Sequence, residues 1–113
     1  MRPDVDSATE RVIALRARLA DSPAAGVAPQ KIEDELCVGY VCALEADAWL
    51  SGVEERLQAS FEDSPLDARE EVLALVAEHA KFERSLVALR RELAGLRREH
   101  DRLRGYAPAG ASS

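Results

Sequence analysis

Apolar residues recur at helical spacing along most of the chain. Ser7-Ala8-Thr9-Glu10 has the form of a capping box, and Val12, Leu15 and Leu19 follow as one stripe with Ile13 beside it. Asp21-Ser22-Pro23 ends this first helix. The stretch from Asp21 to Gln30, with Pro, Gly and small residues, reads as a flexible connector. Pro29 suits the first turn of a second helix, which the pattern carries to about Phe61. One seam of that helix is Ile32, Leu36, Gly39, Ala43, Ala46, Leu50, Val53 and Leu57. Its middle is built of small residues, which lets another helix come close. A second stripe, Cys37, Val41, Leu44 and Ala48, lies on a different face. A helix apolar on two faces is expected to pack between two partners. The competing reading of Leu36–Leu44 is a buried strand, and the acidic helical flanks Glu33–Glu35 and Glu54–Leu57 favour the helix.

Glu62 to Asp67 is the next break, where Ser64 can cap, Pro65 fits a first turn and Asp67 completes a capping box. A third helix then runs to about Arg104, with Gly105 as its stop. It carries the strongest pattern in the chain. Positions a are Val72, His79, Leu86, Leu93 and His100, and positions d are Leu75, Phe82, Leu89, Leu96 and Leu103. This three-four alternation holds without a slip and is a coiled-coil pattern.

The expected fold is all-α: a short N-terminal helix plus a long antiparallel helical hairpin, coiled-coil-like and dimerising into a helical bundle. Residues 1–30 form the short helix and connector, residues 31–104 the hairpin with its tip at about 62–67, and residues 105–113 a disordered tail. Two long helices cannot bury a second helix that is apolar all round, and a three-helix monomer is expected to leave much of the third-helix stripe wet. Self-association into a four-helix core, braced by the first helices, answers both. The ten a and d residues are the expected dimer seam. Glu92 and Glu99 at g, with Arg97 and Arg104 at e, also suit a parallel pairing of third helices, so hairpin and parallel coil both stay open.

Composition narrows the function. The chain has 113 residues, enough for one small domain, and its aromatic content is only 4%. Its net charge of −6 gives it no general attraction for nucleic acid or anionic membrane. The longest uncharged apolar run, Leu36–Leu44, is shorter than the roughly 20 residues of a bilayer span. No secretory signal is visible after Met1, and the expected location is cytoplasmic. Cys37 and Cys42 are placed to be small buried hydrophobes, not a disulfide pair or metal ligands.

Charge is uneven along the chain. Lys31–Glu83 holds 4 basic and 14 acidic residues, and Arg84–Arg104 holds 7 basic and 3 acidic. Arg90, Arg91, Arg97 and Arg98 are therefore candidates for binding an anion such as a nucleotide or nucleic acid. Against this stand the interrupting Glu92, Glu99 and Asp101 and the absence of interleaved aromatics. His79 and His100 either punctuate the seam and set its register or make it pH-sensitive. Trp49 is the best anchor for a partner protein, with Phe61 and Leu66 at the tip as further candidates. No phosphate loop, HExxH or Glu-x-x-His motif occurs, so no catalytic, metal or cofactor site is expected. The expected function is a noncatalytic protein-interaction module: a small adaptor, regulator or chaperone-like protein working through a dimeric helical surface. The alternatives are a regulator that binds nucleotide or nucleic acid through the Arg-rich helix end, and a purely structural oligomerisation module.

Overall fold

The computed structural model describes residues 2–21, 27–63 and 69–106. They form three helices: α1, Val5–Asp21; α2, Pro29–Asp63; and α3, Arg69–Tyr106. Among the described residues there is no strand, so Leu36–Leu44 is helical. The connector at 22–26, the tip at 64–68 with Ser64, Pro65, Leu66 and Asp67, and the tail at 107–113 lie outside the described residues.

Two helix ends differ from the sequence expectation. The first helix starts at Val5 because Asp4 caps it: Ser7 N and Oγ donate to the Asp4 carboxylate at 3.0 and 2.7 Å. The Ser7–Glu10 box is therefore inside the helix. The Ser7 hydroxyl and amide hold the Asp4 carboxyl below its usual range. At the other end, α3 continues through Gly105 to Tyr106. Glycine permits a stop without forcing one.

The core is one cluster shared by all three helices. Val5, Val12, Leu15 and Leu19 turn inward from α1, whereas Ile13 faces solvent. From α2 come Ile32, Leu36, Ala43, Ala46 and Leu50. From α3 come Phe82, Leu86, Leu89, Leu93 and Leu96. Glu54 meets His79, Asp47 meets Arg90 and Glu33 meets His100, so numbers along α2 fall as those along α3 rise. The molecule measures 66 × 28 × 18 Å, a rod only about two helices thick.

The third-helix stripe is not left wet. Val72, Phe82, Leu86, Leu89, Leu93, Leu96 and His100 are buried within the single chain, and Leu75, His79 and Leu103 are half-buried. Close approach explains this. Leu93 lies over Gly39 so tightly that a Cβ there would collide with its side chain. Likewise, the Arg16 guanidinium lies across Gly95 on α3. It reaches Glu92 at 2.8 Å and Glu99 at 3.4 Å. With α1 and α2 this close, they cover a seam that side chains of ordinary size would have held further off.

Candidate functional site

The second α2 stripe, expected to be packed, is exposed. Leu44 is 69% exposed, Val41 52%, Val38 47% and Tyr40 38%, with Cys37 and Ala48 also in solvent. On a helix, residues 37, 41, 44 and 48 line one side, and Tyr40 flanks them. The core residues Ala43, Ala46 and Leu50 occupy the opposite side. Isolated exposed apolar residues are ordinary, whereas these are contiguous along one side of a helix. By length and composition α2 also contains a window apolar enough to cross a membrane, which the reading of Leu36–Leu44 did not anticipate. Core helices pass the same test, yet only 33% of this window is buried in the chain.

The face has an electrostatic border. Between Ile32 and Glu55 there is no Lys or Arg. Asp34 and Glu45 stand exposed beside the stripe. Asp34 accepts a hydrogen bond from Gln30 at 2.9 Å, Glu55 is exposed further along, and four other acids of α2 are engaged with α1, α3 or Lys31. Asp47 pairs with Arg90. Glu54 Oε1 lies 3.0 Å from His79 Nε2. Glu33 Oε1 lies 3.3 Å from His100 Nε2, an ion-pair distance without hydrogen-bond alignment. Buried Glu35 accepts hydrogen bonds from Arg11 at 2.7 Å and Lys31 at 3.1 Å. Burial alone would raise the Glu35 pKa, but those two cations outweigh it and hold the carboxyl below its usual range.

The cysteines correct the sequence reading. Cys37 is exposed and Cys42 half-buried, and both are free thiols. They are not a buried hydrophobic pair: Cys37 lies on the outer face of α2, which nothing covers in the single chain, whereas Cys42 packs partly against the core. Burial, with Glu45 and Asp4 nearby, pushes the Cys42 thiol up.

The other sequence candidates are scattered. Trp49 packs half-buried inside the chain, edge-on to Phe82 with ring centroids 4.6 Å apart. The Arg2 guanidinium sits 5.9 Å from the Trp49 ring and 5.7 Å from the Phe82 ring. Phe61 falls in the last turn of α2, its side chain outside the described set, and Leu66 lies outside the described residues. Arg90 is tied to Asp47, while Arg91, Arg97 and Arg98 are exposed on α3. His79 and His100 face carboxylates of α2. His100 and Glu33 also line a groove of about 450 Å³ with Ile32, Leu103 and Arg104. No group of three or more His, Cys, Asp or Glu side chains is arranged to hold a metal ion among the described residues.

Compared with protein-family models, with curated proteins and with solved structures, the chain matches none of them.

Proposed function

We propose that this chain is a noncatalytic protein-interaction module, a small adaptor, regulator or chaperone-like protein of a reducing, cytoplasmic compartment. In this reading α2 and α3 form an antiparallel hairpin braced by α1, and the hairpin presents the outer face of α2 to another protein surface. One observation carries the proposal: Val41 and Leu44 stand more than half exposed in the middle of a contiguous apolar stripe. The core residues of the same helix are satisfied within the chain, so folding of the monomer gives this stripe no role.

A photoreactive amino acid placed at Val41 tests it in cells. The expected result is a discrete protein adduct that disappears when Leu44→Glu is added. The same probe at exposed Ala17 on α1 serves as control. No adduct at Val41 above the control level would overturn the proposal.

The exposed Arg91, Arg97 and Arg98 favour a second reading, binding of a nucleotide or nucleic acid at the basic end of α3. It requires salt-sensitive binding of a short oligonucleotide that is lost in the triple Arg→Gln variant.

A further inference from the structure

The interaction reading leaves open what covers α2, and the proposal here rests on that reading. We propose that the occupant is a second copy of this chain, with the two α2 helices antiparallel around a two-fold axis between Val41 and Leu44.

The register follows from polarity matching along the stripe. Antiparallel helices stack in layers, and centring them between Val41 and Leu44 sets each of these against the other in the second copy. Cys37 then meets Ala48, two small side chains that let the helices approach. One layer further out, Asp34 meets Ser51, whose hydroxyl can donate to the carboxylate. At the ends Gln30 meets Glu55; its amide already donates one N–H to Asp34 of its own chain at 2.9 Å and has the second to offer. All eight residues are exposed in the single chain or flank solvent on α2. Within these four layers apolar residues meet apolar residues, and the two layer acids, Asp34 and Glu55, each meet a donor.

Other arrangements lose this match. In a parallel pair each layer meets itself, so Asp34 faces Asp34 and Glu55 faces Glu55. Sliding the antiparallel pair by one heptad sets Asp34 against Leu44, or Glu55 against Cys37. A carboxylate facing an apolar side chain loses hydration without gaining a partner. The flanking positions of the centred register lie at the solvent edge of the contact, where a carboxylate keeps its hydration. Tyr40 comes beside Asp47, and Val38 beside Glu45. The acids that face each other there are Glu33 and Glu54, and each already lies beside an imidazole of its own α3.

A two-fold contact uses one patch twice and closes on itself. Its length is limited because a straight helix drifts about 20° per heptad from a 3.5-residue repeat. The matched stretch from Asp34 to Ser51 is about 27 Å long. The dimer is therefore modest in area and its mass depends on concentration. Each chain carries −6, so added salt strengthens the pairing by screening repulsion.

Light scattering and cysteine crosslinking on the full chain test the proposal. The expected mass rises with concentration from 12.3 kDa to a plateau at twice that value. Leu44→Glu weakens association by at least about tenfold with unchanged helical circular dichroism, since Leu44 lies outside the core. Val87→Glu, on the outer face of α3, leaves the mass unchanged. In a Cys42→Ser background, a short bifunctional maleimide joins two chains only after Ala48→Cys is added, through Cys37 and the introduced thiol. Crosslinking of the Cys42→Ser chain through Cys37 alone would demand a parallel pair and overturn the register. A mass that grows without a plateau would indicate head-to-tail stacking and overturn the two-fold contact. A chain that stays at 12.3 kDa overturns self-pairing. If its Val41 probe still captures a different protein, the interaction reading survives without the dimer; if it captures nothing, both fall.

Discussion

Glu35 shows how a single residue departs from what its neighbours in sequence suggest. It sits in an acidic run, Glu33-Asp34-Glu35, that the sequence shows only as a helical flank of the apolar stretch Leu36–Leu44. In the fold it is buried with its carboxylate between Arg11 of α1 and Lys31 of α2. Both cations are more than half exposed, so solvent screens part of their attraction. Glu35→Gln is expected to cost about 1–2 kcal/mol at neutral pH, read from urea midpoints. Because the folded-state pKa is depressed, the carboxylate contributes fully above the ordinary value near 4.5. That contribution is lost as the pH falls through the lower folded value. The gap between wild type and variant should therefore close on acidification. A gap that persists at low pH would mean the ionised carboxylate is not its source. Arg11 lies 24 residues away in sequence, so periodicity gave no signal of this pair.

At the scale of helices, three glycines within helices have three different roles. Gly39 receives Leu93, and Gly95 receives the Arg16 guanidinium, but a Cβ on Gly52 would meet nothing within 4 Å. Replacing a helical Gly with Ala gains about 1 kcal/mol from propensity where space allows. Gly52→Ala should therefore raise the melting temperature. Gly39→Ala should lower it, because Leu93 is fully buried and overpacking costs about 1–3 kcal/mol. Gly95→Ala should change it little, since Arg16 can swing away at the loss of two partly screened ion pairs. Thermal melts of the three variants check the order, and a stabilised Gly39→Ala would mean the α2 and α3 backbones are not held together at Leu93. The small-residue seam of α2 was legible in the sequence. Gly95 was not, since it lies outside the a and d positions and its partner comes from α1.

For the molecule as a whole, a rod 66 Å long can associate side by side or end to end. Pairing through the outer face of α2 predicts a dimer whose longest dimension grows little while its mass doubles. Small-angle scattering across a concentration series measures both together. A longest dimension that nearly doubles would place the contact at the rod ends and contradict pairing through α2. The sequence suggested self-association but assigned the α3 stripe to it. The fold covers that stripe within one chain and leaves the α2 stripe as the free one. Both stripes have helical periodicity, and periodicity records that a face is apolar without recording what covers it.

The sequence by itself determined the helical class, the three helices and which faces of α2 and α3 are apolar. These depend on local spacing, which a helix turns into a face regardless of its surroundings. The tertiary structure decided which apolar face is spent inside the chain. That choice depends on how closely helix axes approach, and here Gly39 and Gly95 bring them near enough for α1 and α2 to cover α3. It also decided the partners of Glu35, Trp49 and the histidines, because each contact joins residues far apart in the chain.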